Sequence, residues 1–186
     1  MRLFVTVGIS AENKNRISEV QSALKKNQYD IKWTELGNLH LTLKFLGEVE
    51  ENKIAEITEK LKNAIADTKK FEIIFYKLGI FPNNRFPRVL WVGVENGEQE
   101  LKSLSEKIET ALEPLGFEKE KRAFSAHLTL GRFRSPKNNE KLVEILKKIQ
   151  IEKMLNSVSE ILLIKSTLTP KGPIYETIKE FKLEEK

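Results

Sequence analysis

At 186 residues the chain fits one domain, and without a single cysteine it can form no disulfide, thiolate nucleophile or cysteine-ligated metal site. Its formal charge of +5 is the balance of 32 basic and 27 acidic residues, so charge alone does not separate a solvated Lys/Glu surface from one that attracts phosphate-rich partners. The opening MRLFVTVGIS lacks the long apolar run of a signal peptide, and no stretch approaches the roughly 18 apolar residues of a membrane span, so a cytoplasmic protein is expected.

Residues 2–9 alternate, Leu3, Val5, Val7 and Ile9 on one face and Phe4 and Thr6 on the other, as a strand does. Ser10 can cap a following helix whose stripe is Ile17, Val20 and Leu24. A short strand is expected near 31–35. A longer one over 39–46 has His40, Thr42, Lys44 and Leu46 on one face and Leu39, Leu41, Leu43 and Phe45 on the other. Ile54, Ile57, Leu61 and Ile65 mark a second helix, followed by the strand FEIIFYKL (71–78), a Pro- and Asn-containing loop, and the strand VLWVGV (89–94). Leu101, Leu104, Ile108 and Leu112 mark a third helix, closed by Pro114 and Gly116. A strand over about 124–131, a helix marked by Leu142, Ile145 and Ile149, and two strands near 158–168 and 174–182 joined by TPKGP complete the order.

The chain has two histidines, and both head the same word: HLTLKFLG from His40 and HLTLGRFR from His127, 87 residues apart. The same shift carries Leu3-Phe4-Val5 onto Leu90-Trp91-Val92, and a shift of 88 carries Ile54, Ile57 and Leu61 onto Leu142, Ile145 and Ile149. This reads as an internal duplication, units about 1–87 and 88–186, and predicts two pseudo-symmetric lobes within one domain over 1–186.

On a strand, residues two apart share a face, so His40 points with Thr42 and His127 with Thr129, while the intervening leucines enter the core. A pseudo-two-fold then brings two imidazoles and two hydroxyls to one cleft. One imidazole can take a proton from water and the other give one to a leaving oxygen, both near neutral pH, while the hydroxyls hold the oxygens of a phosphoryl group. A metal centre fits less well: each half offers one histidine and no second ligand at ligand spacing. The plainer alternative is a duplicated fold whose His-Thr words carry no chemistry.

The chain resembles the two-histidine (2H) phosphoesterases, and within them the RNA 2′,3′-cyclic phosphodiesterases, also described as 2′-5′ RNA ligases. The residues that carry this are NLHLTLKFLGEV (38–49), PRVLWVGV (87–94), AHLTLGRFR (126–134) and TLTPKGPIYETIKEF (167–181). The resemblance implies an α+β fold in which each lobe is an antiparallel sheet with flanking helices around a central cleft. It implies metal-independent opening of a 2′,3′-cyclic phosphate to a 2′-phosphomonoester, with no cofactor and an RNA or nucleotide end as partner. It matches His40 and His127 to the catalytic pair, His40 as acid and His127 as base, and Thr42 and Thr129 to the phosphate-binding threonines.

Arg132, Phe45 and Tyr175 are further candidates for substrate contact. Arg132 could face the phosphate or base or form a surface ion pair, Phe45 could stack on a base or sit in the core, and Tyr175, near Lys171 at a turn, could line the cleft or simply belong to that turn. Trp91, among apolar neighbours, reads as core. Arg85, Phe86 and Arg88 in FPNNRFPR could grip single-stranded RNA, or simply decorate an exposed turn. Ala126 stands where relatives often have proline, and KWTELGN lacks the arginine and proline many relatives carry there, Lys32 supplying some of that charge. Two other functions stay open on these residues: a 2′-5′ RNA ligase running the reverse reaction, and a nucleotide-binding module without turnover. A monomer is expected.

Overall fold

The computed structural model describes residues 1–186 except 84, 136–140, 150, 171 and 186. Among the described residues, nine strands and four helices follow in the order β1 (Arg2–Val7), α1 (Ala11–Lys25), β2 (Ile31–Trp33), β3 (Leu41–Glu48), α2 (Ile54–Ala64), β4 (Phe71–Phe81), β5 (Val89–Asn96), α3 (Glu98–Leu112), β6 (His127–Phe133), α4 (Leu142–Lys148), β7 (Met154–Val158), β8 (Glu160–Thr169) and β9 (Gly172–Lys182). The mixed α+β class is as expected. Among the described residues no helix is long and apolar enough to cross a membrane.

All pairs between these strands are antiparallel, in the spatial order β7-β4-β5-β6-β3-β1-β8-β9, with β2 added to β6. The seam between the two halves of this array is thin: β3 and β6 are matched through one residue pair, Leu41 with Leu128. On one side of the seam lie β7-β4-β5-β6, with β2 on β6, and on the other β3-β1-β8-β9, and residues from both sides line the cleft.

The sheets do not follow the halves of the chain. β4, from the first half, pairs with β5, and β8, from the second, pairs with β1. The helices cross over too. Gln21 of α1 donates to Leu130 O of β6, and Ser105 of α3 donates to Leu43 O of β3, each at 2.9 Å.

Leu41 and Leu128 of the seam strands pack in one continuous buried core with Ile17 of α1, Ile57 and Leu61 of α2, and Leu101, Leu104 and Ile108 of α3. Ser10 caps α1 as expected, its Oγ accepting from Asn13 N at 3.2 Å.

β7 is a strand that the sequence pattern does not reveal. Its buried positions are Met154, Asn156 and Val158, and the polar middle member hides the alternation. Asn156 is only 1% exposed because its amide is fully used: Oδ1 accepts from Ser10 N at 2.9 Å and Asn13 Nδ2 at 3.2 Å, and Nδ2 donates to Gly8 O at 3.3 Å. The shift of 87 for the first strand is also corrected by the ladders. Trp91 faces Thr129 as Thr6 faces Thr42, so Trp91 holds the place of Thr6 rather than that of Phe4.

Candidate active site

The two His-Leu-Thr-Leu words meet at their second residues. Pairing Leu41 with Leu128 sets His40 across from Thr129 and Thr42 across from His127. The four side chains form the corners of a square on the cleft side of the seam, with the two leucines buried beneath. In a regular ladder the diagonal neighbours of such a square lie about 7–8 Å apart.

A bulge falls at the last residue of each word. Between Thr6–Thr42 and Val5–Lys44 one residue, Leu43, is left over, and between Trp91–Thr129 and Leu90–Gly131 it is Leu130. The carbonyls of these bulged leucines are the two that Ser105 and Gln21 capture, and Leu130 O also accepts from Thr34 N at 2.9 Å. Each bulge turns the strand's faces over. Lys44, expected beside His40, is buried instead, with Nζ 2.5 Å from Glu109 Oε2 and 2.9 Å from Glu118 O. Phe45, on the leucine face in the simple alternation, is 59% exposed and lines the cleft. The second bulge does the same for Arg132.

Both rings are held alike. His40 Nδ1 lies 2.6 Å from Asn38 O, and His127 Nδ1 lies 2.8 Å from Ser125 O, each the carbonyl two residues back. A carbonyl only accepts, so Nδ1 carries the proton and Nε2 is left for the cleft. Aromatic rings brace each imidazole: Phe4 and Tyr175 at 4.8 and 5.2 Å from His40, Phe81 and Trp91 at 5.0 and 6.5 Å from His127. Burial pushes both histidines below their ordinary value of 6.5, partly opposed by these carbonyls, with the Arg132 cation lowering both further. Burial also raises the Tyr175 phenol.

The cleft encloses about 370 Å³ and is lined by all seven residues singled out in the sequence: His40, Thr42, Phe45, His127, Thr129, Arg132 and Tyr175. Lys32, Trp33, Thr34, Glu35 and Asn38 from β2 and the turn after it complete one wall, and Gly172 and Pro173 the rim. Asn38 Nδ2 ties that wall to the β8–β9 hairpin by donating to Pro173 O at 2.9 Å.

Phe4 and Phe81, which brace the histidines, are not marked as site residues by the sequence. The signal that could have found Phe4 is its place on the strand face opposite the leucine core. Trp91 is half-buried, filling the space left by Gly79 and Gly93, rather than lost in the core. Arg85, Phe86 and Arg88 are not among the cleft-lining residues, and Lys171 lies outside the described residues. Among the described residues, no three His, Cys, Asp or Glu side chains gather as a metal site would require. The arrangement gathers two imidazoles, two threonine hydroxyls and the cations Lys32 and Arg132 around a space of nucleotide size.

Comparison with known proteins bears on the family and the fold. Two proteins named RNA 2′,3′-cyclic phosphodiesterase are similar along nearly their whole length. The one from Methanothermobacter thermautotrophicus is 37% identical over 184 residues, covering 98% of this chain and 99% of that one. The one from Methanocaldococcus jannaschii is 39% identical over 182 residues, covering 97% and 100%. Among solved structures, the TT0787 protein of Thermus thermophilus superposes with a TM-score of 0.82 at 25% identity over 98% of both chains. The apo form of Escherichia coli LigT does so with 0.78 at 23%, over 98% and 96%, and so speaks for the fold. The profile of the LigT-like phosphoesterases matches residues 7–91 and again 92–175, and the chain belongs to that family.

Proposed function

We infer that the protein is an RNA 2′,3′-cyclic phosphodiesterase, opening a cyclic phosphate at a nucleotide or RNA end to a 2′-phosphomonoester by acid and base catalysis from His40 and His127. The observation that supports this reading is the seam register, which brings both imidazoles to one cavity with Thr42 and Thr129, the Nδ1 of each ring engaged by a carbonyl. The name shared by the full-length relatives supports the substrate.

Water lies against His127, whose Nε2 takes its proton as the oxygen attacks phosphorus. The bond from phosphorus to the 3′-oxygen breaks in line, and His40, which enters the cycle as the imidazolium with both nitrogens protonated, gives its Nε2 proton to that oxygen. Thr42 and Thr129 donate to the non-bridging oxygens, where charge grows in the transition state. After release the two histidines have exchanged protonation states, and solvent resets them. The assignment of His40 as acid follows the family resemblance.

One chain provides both words, so a monomer suffices, and a cytoplasmic protein acting on RNA ends is the reading we propose. The test is incubation of adenosine 2′,3′-cyclic phosphate and of RNA ending in it with the protein in EDTA. A 2′-phosphate product, lost in His40→Ala and in His127→Ala, is expected. A 3′-phosphate product, or undiminished turnover in either variant, overturns the mechanism, and a longer strand instead of hydrolysis points to ligation.

A further inference from the structure

The cleft holds a cation pair that folding alone does not call for. Lys32 of β2 and Arg132 of β6 are direct cross-strand partners, and both line the cleft. Like charges directly opposite on one face destabilise a sheet. Neither is relieved by a carboxylate: among the described residues no ion pair involves Lys32 or Arg132, and Glu35, the one acid lining the cleft, pairs with neither. Many other described cations, Lys14 and Lys60 among them, also lack an ion pair; what sets these two apart is that they stand directly opposite each other at the wall of the cleft. An unfavourable pair kept at the wall of an anion-binding cleft is relieved by an anion.

Its position says which anion. Along β6 the cleft-facing residues run His127, Thr129 and then, past the bulge, Arg132. Arg132 is therefore on the order of 7–10 Å along the strand from Thr129, about the span of one ribose. Lys32 lies beyond it, on the side where β2 replaces β3 as the neighbour of β6. A cyclic phosphate closes the 3′ end of a strand, so any second phosphate on the same substrate lies upstream, attached at the 5′ carbon. The matching place on the other arm is Phe45, a neutral ring.

We propose that Lys32 and Arg132 form a subsite for the phosphate 5′ of the terminal nucleotide, making the protein selective for RNA ends over free nucleoside cyclic phosphates. This rests on the phosphodiesterase reading of the cleft. Arg132 is close enough to the histidines to influence both, so it serves the two phosphates together, and Lys32 is the residue that distinguishes them.

The experiment compares adenosine 2′,3′-cyclic phosphate with its 5′-phosphorylated form, two substrates that differ by that phosphate alone. The wild-type protein in dilute salt is expected to favour the 5′-phosphorylated substrate in kcat/KM, mostly through KM, by about tenfold, the order of one charge-assisted hydrogen bond. That ratio should fall toward one in Lys32→Gln, survive in Lys32→Arg, and erode in the wild type as salt is raised. A wild-type ratio of one, or an undiminished ratio in Lys32→Gln, overturns the subsite while turnover of both substrates leaves the phosphodiesterase reading standing. Turnover of neither substrate overturns that reading itself.

Discussion

Phe45 and Arg132 occupy matching points on the two arms of the cleft, each two residues past a bulged leucine and 87 residues apart in the chain. The histidines and threonines are duplicated with their chemistry intact, whereas these two positions differ, one aromatic and one cationic. A substrate with a base at one end and a phosphate chain at the other can therefore lie in only one direction. Base stacking on Phe45 is worth about 1–3 kcal/mol. Phe45→Ala should raise KM for adenosine 2′,3′-cyclic phosphate by about 5- to 150-fold with kcat less affected. Phe45→Trp should restore it. Steady-state kinetics on the two variants decide, and an unchanged KM in Phe45→Ala would remove the base from that arm.

His40→Ala and His127→Ala should each lower kcat by about 10²–10⁴-fold, the usual worth of one proton transfer. An aryl phosphodiester separates the two roles, because a phenolate leaves without protonation. On such a substrate His40→Ala should lose far less than His127→Ala. The reverse order would exchange acid and base.

The pH dependence has a defined sign. Burial holds both histidines below 6.5 in the free protein. The bell of kcat/KM, which reports the free enzyme, should therefore peak on the acid side of about 6.5. A bound phosphate anion raises both groups, so the bell of kcat should lie at higher pH. The same depression affects stability. The fold favours the neutral rings, so their contribution is full above 6.5 and is lost as pH falls through that value to the folded pKa. Denaturant midpoints at pH 7.5 and 5.5 should diverge less in His40→Ala than in the wild type. A kcat/KM optimum above neutrality would contradict this account.

Lys44 and Glu109 test the bulge. Their side chains are 1% and 10% exposed, and the pair anchors β3 where its faces turn over. Lys44→Met leaves a buried carboxylate alone and should cost about 3–5 kcal/mol. Lys44→Met combined with Glu109→Leu should recover most of that loss, because neither charge is then stranded. Urea denaturation of the two variants gives both numbers, and equal instability would mean that the pair is not the source.

Gly79 tests the bracing of His127. A Cβ there would stand 2.1 Å from the Trp91 ring, which packs 4.9 Å from Phe81 beside the histidine. Gly79→Ala should displace Trp91 and lower kcat along with the melting temperature. Near-ultraviolet circular dichroism would report the ring directly, and an unchanged spectrum with full activity would show that Trp91 can yield without moving His127.

The centre of the site is legible because it depends on period two alone: His40 with Thr42, and His127 with Thr129, share a face in any strand. Two kinds of feature are not legible. A bulge adds one residue without changing composition, so LTLKFLG reads as unbroken alternation, and simple alternation places Lys44 and Phe45 on each other's faces. Only the carbonyl partners Ser105 and Gln21, distant in sequence, mark where the strand turns. Pairing between strands is likewise non-local. The pattern of β4 says that it is a strand but not that β5 is its neighbour, and in β7 the buried Asn156 looks polar until its partners near Gly8, Ser10 and Asn13 are known.

The exchange of β4 and β8 makes the two halves of the molecule interdependent. A nick in the loop before β5 would release two fragments, each holding a histidine word, neither owning a complete sheet, and each missing the helix that buttresses its bulge. Such fragments would have to recombine to fold at all, as subunits of an obligate dimer do, and a lone half-molecule should be neither a weak enzyme nor a small stable protein.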